Sequence, residues 1–152
     1  MRFVSTPTSK QRGITLLELM VVVAIVAMLA AFAYPSYTQY VVKTKRTAAT
    51  STLLQIADRQ QQFFMDNKSY TADLTNLGFA ANPLWVSDDG NPVAAGDADA
   101  VYIFAVVNVA PTTYLALAAP LAAQQKRDTK CGTLTLDQAG ARQALAGGDD
   151  CW

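Results

Sequence analysis

The sequence predicts an α+β fold in which a long, bent N-terminal helix packs on an antiparallel sheet of three or four strands. An apolar run at 14–34 leads into residues 47–65, where apolar side chains recur at helical spacing. Pro35 lies inside this pattern and predicts a kink, because proline lacks an N–H and clashes with the preceding turn. Between 101 and 145, short segments rich in β-branched and aromatic residues are joined by short connections, which favours antiparallel pairing.

The composition limits the chemistry that the chain can perform. The chain has 152 residues, a formal net charge of zero and no histidine. Zero net charge provides no general attraction to nucleic acid or acidic lipid. The absence of histidine removes the commonest general base and metal ligand, and two cysteines do not complete a tetrahedral zinc site. We therefore predict a non-enzymatic protein with no cofactor and no metal site.

Charge at the N-terminus predicts a membrane topology. The first 13 residues contain three basic residues and no acid, whereas the rest contains nine of the 12 basic residues and all 12 acids. A short basic leader before an apolar run stays in the cytoplasm, so the remainder is expected on the other side of the membrane. The 21 residues at 14–34 would form a helix of about 31 Å, enough to cross the hydrocarbon core.

Two kinds of N-terminal segment fit this pattern. A secretory signal peptide is one, with residues 31–33, Ala-Phe-Ala, as its cleavage site. Against it, the apolar run is longer than usual, and Glu18, the only glutamate of the chain, lies at its start. A carboxylate inside a bilayer costs about 2.5–3.5 kcal/mol, so Glu18 requires a partner or a function.

Residues 13–18, Gly-Ile-Thr-Leu-Leu-Glu, follow a basic residue and open the apolar run. This motif resembles the class III signal of type IV prepilins. The resemblance implies that a prepilin peptidase cuts between Gly13 and Ile14 and methylates Ile14, at a position where many members have Phe. Glu18 then becomes the fifth residue of the mature chain. We predict that its carboxylate meets the new amine of a neighbouring subunit and sets the subunit register.

The resemblance also implies a domain organisation and a location. Residues 1–13 are the leader peptide, 14–40 are the transmembrane and filament-core half of the helix, and 41–152 form a periplasmic or extracellular globular domain. Pro35 is the twenty-second residue after the cut, where pilins often have a proline. The implied protein spans the inner membrane once, with a cytoplasmic N-terminus, and then enters an extracellular pilus. Its implied partners are other pilin subunits, the prepilin peptidase, the inner-membrane pilus assembly platform and, before assembly, membrane lipid.

The second half of the helix is expected to pack one face on the globular domain and to end near Asn67 and Lys68. The candidate packing residues are Leu53, Ile56, Ala57, Phe63 and Phe64. Asp58 and Arg59 are expected on the solvated face. The basic residues Lys43, Lys45 and Arg46 suit either a membrane–water boundary or the exposed face of a helix.

After the helix, a stretch with the pattern Y-T-x-D-L-x-x-L-G, at 70–78, resembles a segment of many Gram-negative pilins. Locally, Asp73 is expected to cap a short helical turn that Gly78 ends, with Leu74 and Leu77 in the core. Residues 80–100 are predicted to be a loop because they are rich in turn-forming residues. The acids of this loop lack the spacing of a calcium-binding EF-hand and are expected to be solvated; they are Asp88, Asp89, Asp97 and Asp99.

Four strands are predicted after this loop, the last of them weak. They lie at 101–109, 113–119, 132–137 and 141–145, with a polar linker after Pro120. The first strand is expected to bury Val101 and Ile103, or their alternates, against the helix.

Cys131 and Cys151 are the only cysteines. On the oxidising side of a membrane they are expected to form a disulfide, which would stabilise the fold by about 3 kcal/mol. Such a bond resembles the C-terminal disulfide-bounded region of pilins, and the ending of the chain resembles that of PilE-type minor pilins.

These features favour a minor type IV pilin that contributes to pilus assembly or initiation, and so to twitching motility, adhesion or DNA uptake. A type II secretion pseudopilin is one alternative, which the cysteine pair disfavours. A DNA-binding competence pilin is another, and it would need a basic surface patch. The candidates for this patch are Lys126, Arg127, Lys130 and Arg142, and Asp128 interrupts them. A solvated loop is the preferred interpretation of these charges, so nucleic acid is not a favoured partner.

Overall fold

The computed structural model describes residues 13–152, so the predicted leader lies outside the described residues except for Gly13. Helix α1, Leu16–Asn67, is 52 residues long. The chain divides into two units with the boundary after Thr38, and α1 contributes residues to both. The helix does not end at Pro35, and the predicted kink there stays a prediction.

In the first unit, α1 carries apolar side chains on all sides, and none of those that the structure describes is buried. Every described side chain from Ile14 to Tyr34 is exposed, including Leu17 at 74% and Phe32 at 80%. This part of α1 is long and apolar enough to cross a membrane. A helix with no polar face is stable only when lipid or other helices surround it.

The second unit contains a six-stranded sheet in the order β2-β1-β3-β4-β5-β6, in which all neighbours are antiparallel. The strands are β1 Leu84–Ser87, β2 Pro92–Val93, β3 Ala100–Ala110, β4 Thr113–Pro120, β5 Leu134–Asp137 and β6 Arg142–Ala144. A short helix, α2 Ala122–Arg127, lies between β4 and β5. The predicted class, a long helix packed on an antiparallel sheet, is confirmed.

The predicted count of three or four strands was too low, because β1 and β2 lie in the segment expected to be a loop. β1 has only four residues and is followed by a turn-rich stretch, so its local pattern is weak. Its pairing with β3 supplies the missing stabilisation, with Leu84 opposite Phe104 and Val86 opposite Tyr102. Helix α2 also lies where a linker was predicted, since six residues are too few to show helical periodicity.

The core of the second unit lies between α1 and one face of the sheet. Leu53 and Ile56 are fully buried on the helix side, as predicted. On β3 the buried residues are Tyr102, Phe104 and Val106, which are the alternates of the predicted set, together with Val101. The largest fully buried apolar side chains are Phe104, Leu53, Ile56, Leu74, Leu84 and Leu134. The apolar side chains of the second half of α1 are therefore buried by contact with the sheet.

The segment after α1 folds as the sequence predicts. A 3-10 helix, Leu74–Leu77, follows Asp73, whose Oδ1 accepts hydrogen bonds from the Thr75 hydroxyl at 2.7 Å and the Thr75 N–H at 2.9 Å. These two bonds lower the pKa of the Asp73 carboxyl. Gly78 ends the turn at a φ of +79°, and Leu74 and Leu77 are buried. The predicted cap, stop and core residues are therefore confirmed.

Candidate functional site

The start of α1 places the residues of the predicted cleavage motif. Gly13, Ile14 and Thr15 lie outside the helix and are exposed. Thr15 caps the helix, since its Oγ1 accepts the N–H of Glu18 at 3.2 Å. Thr15 and Glu18 have the T-x-x-E spacing of a capping box, which marks the start of a helix within the cleavage motif.

Glu18 lies in the first turn of α1 with an exposed side chain. A negative charge is favourable there because the first N–H groups of a helix carry partial positive charge. Helix α1 itself therefore tolerates Glu18, while the bilayer penalises it. The structure places Glu18 three residues after Thr15 and four after Ile14, at the N-terminal end of the exposed apolar helix.

The C-terminal segment, residues 131–152, is closed by the disulfide between Cys131 and Cys151. The two Cα atoms are 5.6 Å apart, and both cysteines are buried. The last residue is also fixed, because Trp152 Nε1 donates to the carbonyl of Gln143 at 3.0 Å. Gly148 passes so close to Lys130 that a Cβ at this position would overlap the Lys130 carbonyl oxygen. The segment is thus tightly closed, while residues 139–150 are exposed except for the half-buried Ala144 and Gly148.

A buried ion pair ties α1 to the residue after α2. Arg46 donates from Nη2 to Asp128 Oδ1 at 2.7 Å and from Nε to Asp128 Oδ2 at 2.9 Å. The Asp128 side chain is 1% exposed and that of Arg46 is 11% exposed. Arg46 Nη1 also donates to the carbonyl of Asp150 at 3.2 Å, which connects the pair to the C-terminal segment. Arg46 therefore stabilises the domain, and neither of the two roles considered for it from the sequence applies.

Two further lysines of α1 pair with acids in loops. Lys43 lies 3.3 Å from Asp150, and both side chains are largely exposed. Lys45 lies 3.4 Å from Asp88, one of the acids that the sequence analysis expected to be solvated. An exposed pair such as Lys43–Asp150 contributes about 0–1 kcal/mol, so it adds less to stability than the Arg46–Asp128 pair.

Polar groups next to this pair are also satisfied. Gln124 of α2 is buried, and its Nε2 donates to the Val42 carbonyl and to the Tyr102 hydroxyl, each at 3.3 Å. Burial raises the pKa of Tyr102 to about 12. The contact between α1 and α2 is therefore fixed by hydrogen bonds as well as by charge.

The burial of Asp128 changes the interpretation of the basic residues around it. Lys126, Arg127 and Lys130 are all exposed, whereas the carboxylate of Asp128 is buried against Arg46. The acid that interrupts this cluster in the sequence is thus absent from its surface. We call Lys126, Arg127 and Lys130 the basic cluster.

The fourth predicted basic residue occupies a different element. Arg142 lies on the edge strand β6, with its guanidinium carbon 5.5 Å from the centre of the Trp152 ring. It thus forms a cation–π contact in which both partners retain exposed surface.

Within residues 13–152, no cluster of three or more His, Cys, Asp or Glu side chains is placed to hold a metal ion. The acids of the segment 80–100 make local contacts instead. Asp97 Oδ1, for example, accepts the N–H of Asp99 at 3.0 Å.

Two family models match the sequence. The model described as "Type IV minor pilin ComP, DNA uptake sequence receptor" matches residues 35–135, and the model described as "Prokaryotic N-terminal methylation motif" matches residues 8–34. Among solved structures, the chain is similar to a type IV pilin from Shewanella oneidensis, with 20% identity and a TM-score of 0.46. That similarity covers 73% of this chain and 97% of the other. No curated protein matches the chain.

Proposed function

The chain belongs to the ComP family of type IV minor pilins, and we propose that it primes or joins a type IV pilus as a scarce subunit. The observation that carries this proposal is the contrast in burial along α1. The second unit buries Leu53 and Ile56 against its own sheet, whereas the first unit leaves every described side chain from Ile14 to Tyr34 exposed. Helices of other pilin subunits would cover this apolar surface in a filament, and lipid would cover it before assembly.

Processing is proposed to remove residues 1–13 by a cut between Gly13 and Ile14, followed by methylation of Ile14. The match to the N-terminal methylation motif supports this step, and so does the exposure of both residues outside α1. Mass spectrometry of the chain from sheared pili is expected to find a methylated Ile14 at the N-terminus. A chain that begins at Tyr34 or at Met1 would contradict the proposal.

In the assembled filament, we assign to Glu18 the pairing with the amine of a neighbouring subunit's Ile14. The two charges attract strongly in apolar surroundings, and an incorrect register would leave both without a partner. Glu18→Gln is expected to leave membrane insertion intact and to reduce incorporation into pili. The matched control is Asp66→Asn, which neutralises another exposed acid of α1 outside the apolar run. Equal incorporation of both variants would contradict the assigned role.

The proposed topology puts the N-terminus in the cytoplasm, residues 14–40 in the inner membrane and 41–152 in the periplasm until assembly. The basic leader and the apolar helix support it. The assembly platform of the inner membrane would then extract the subunit, and a kink at Pro35 would adapt the helix to the filament. Deleting the subunit is expected to reduce the number of surface pili, although it contributes little of the protein in sheared filaments. A subunit that dominates the filament protein would contradict a minor role.

A second candidate function is DNA binding as a receptor. The description of the matching family names this role. The observation that favours it is the burial of Asp128 against Arg46, which leaves Lys126, Arg127 and Lys130 as an exposed basic cluster. Lys and Arg side chains on a surface bind phosphates and release counterions, so binding through them weakens as the salt concentration rises.

DNA binding can be measured with the full-length chain in detergent at several salt concentrations. Replacing Lys126, Arg127 and Lys130 by Gln is expected to weaken binding and to reduce the slope of log K against log salt by about 0.9 for each lost phosphate contact. Lys68→Gln, at an exposed position on the segment after α1, serves as the control. Preferential binding of the chain to one recurring genomic DNA sequence would support a role as a DNA receptor. Unchanged DNA binding by the triple variant would exclude the basic cluster as the interface.

A further inference from the structure

A cleft of about 290 Å³ opens at the β2 edge of the sheet, beside α1, and no residue of the basic cluster lines it. Helix α1 lines it with Thr52, Gln55 and Arg59, and β1 lines it with Leu84 and Val86. The remaining lining residues are Pro92 of β2 and four residues of the loops on either side of β1: Gly78, Phe79, Ala80 and Gly90. Leu84 and Val86 are almost fully buried, so Phe79, Ala80 and Pro92 supply the accessible apolar surface of the cleft. The cleft thus combines apolar surface with a few polar groups from the helix, as small ligand sites do.

Arg59 is held in place at this cleft, although the sequence analysis expected it to be solvated. Its Nη1 donates to the carbonyl of Leu77 at 2.9 Å, and its guanidinium carbon lies 4.4 Å from the centre of the Phe79 ring. Gly78 permits this approach, because a Cβ at Gly78 would lie only 3.2 Å from Nη1. The side chain is half-buried, so its charge has lost part of its hydration.

The charge of Arg59 has no acidic partner among residues 13–152, where the ion pairs are those of Lys43, Lys45 and Arg46. One N–H of its five is used by the Leu77 carbonyl, and a guanidinium presents its donors as a planar fork. A half-buried cation with free donors and no counterion is favourable only if an anion or water supplies the missing partner. Arg59 differs in this respect from Arg46, which Asp128 neutralises completely.

We propose that this cleft binds a carboxylate carried on a compact apolar group, with the carboxylate on Arg59 and the apolar group against Phe79 and Pro92. No other charged residue lines the cleft, so a single negative charge balances it. The planar carboxylate matches the fork of the guanidinium. The cleft volume, slightly below the usual range for ligand pockets, favours a small ligand.

Two sources share this chemistry: a free small acid and the C-terminal residue of a peptide. The probes are therefore 4-methylpentanoate, which represents the free acid, and N-acetylleucine, which represents the peptide end. Each is compared with its neutral amide, and dimethyl phosphate tests whether any single anion suffices. Binding is followed by NMR of the full-length chain in detergent, through the methyl groups of Leu84 and Val86 and the amide of Gly78.

Both carboxylates are expected to shift these signals at concentrations at least about tenfold lower than their amides, since a hydrogen bond to a charged group contributes at least that factor. Tighter binding of N-acetylleucine would identify a peptide end as the ligand, and equal or tighter binding of 4-methylpentanoate would identify a free acid. Equal binding of the amides, tighter binding of dimethyl phosphate, or unchanged signals would overturn the proposal.

Two variants test the role of Arg59, and one of them retains its side chain. Gln55→Glu places an acid four residues before Arg59 on the same helix, an arrangement that forms an internal pair without destabilising α1. Both Gln55→Glu and Arg59→Gln are expected to weaken carboxylate binding at least about tenfold. Gln125→Glu makes the same exchange at an exposed position of α2 and is expected to bind like the original chain. Undiminished binding by Gln55→Glu would show that Arg59 does not hold the anion.

Discussion

The two parts of α1 differ in how their apolar residues are covered. In the first unit, Leu17, Leu19 and Phe32 are all more than half exposed, and the side chains around them are equally bare. In the second unit, Leu53 and Ile56 are fully buried. One helix therefore contains a segment whose apolar side chains are covered by its own domain and a segment whose apolar side chains only other molecules can cover.

This difference teaches that folding and assembly depend on separate sets of residues in this pilin. The domain has its own core, a disulfide and a buried ion pair. The apolar segment has none of these among its described residues, whose apolar side chains are exposed. Substitutions in the two units are therefore expected to affect different measurements.

The largest expected effect is a loss of domain stability on truncation of the core. Phe104 is 0% exposed, and Phe104→Ala is expected to lower the free energy of unfolding by about 3–5 kcal/mol. Leu19→Ala, in the first unit, is expected to change it by less than about 0.5 kcal/mol and to reduce incorporation into pili. Urea unfolding of the full-length chain in detergent measures the first quantity, and sheared pili the second. Similar destabilisation by both variants would contradict the inference that folding and assembly depend on separate sets of residues.

The next effect concerns the ion pair that fixes the C-terminal part of the domain to α1. Asp128→Ala leaves the Arg46 charge without its buried partner and is expected to cost about 3 kcal/mol. Lys43→Ala breaks the exposed pair with Asp150 and is expected to cost about 0–1 kcal/mol. The same unfolding measurement compares the two variants. If they are equally stable, the Arg46–Asp128 pair does not hold the domain together.

Removal of the disulfide tests whether the C-terminal segment depends on its covalent closure. The joint substitution Cys131→Ser and Cys151→Ser opens a loop with a sequence separation of 20 and is expected to lower stability by about 3 kcal/mol. The helicity of the first unit is expected to be unchanged, which backbone NMR shifts of residues 16–34 would show. A loss of helicity there would mean that the two units fold together.

The smallest effect is a dependence of stability on high pH. Burial, assisted by the nearby groups Tyr70 and Asp137, raises the pKa of Tyr114 to about 12, whereas an unfolded tyrosine titrates near 10. Stability is therefore complete below about pH 10 and falls between about pH 10 and 12, where only the unfolded chain ionises. Tyr114→Phe is expected to remove part of this loss of stability at high pH. The part that depends on Tyr102 remains, because the pKa of Tyr102 is also about 12.

The check is the urea midpoint at pH 7, 10 and 11.5, where Tyr114→Phe is expected to lose less stability than the original chain. Tyr37→Phe, at an exposed position of the first unit, is the control and is expected to follow the original chain. An equal decrease in all three chains would show that Tyr114 does not contribute to the alkaline loss.

Much of this architecture could be predicted because it depends on local patterns. The end of α1 near Asn67, the Asp73 cap, the Gly78 stop and the strands after residue 100 were all predicted. Strands β1 and β2 were not, because their short segments acquire order from pairing with β3. The roles of Arg46, Asp128 and Arg59 were also missed, since their partners lie between 18 and 104 residues away in the chain.

The sequence by itself determined that this protein is a pilin with an apolar N-terminal helix. The motif at 13–18 and the apolar run at 14–34 are patterns of adjacent residues, which can be recognised without any tertiary contact. Only the tertiary structure decided which charges are neutralised and which remain at the surface. Burial and pairing of a charge depend on residues far apart in the chain. The fold alone brings Asp128 to Arg46 and leaves Arg59 without an acidic partner among residues 13–152.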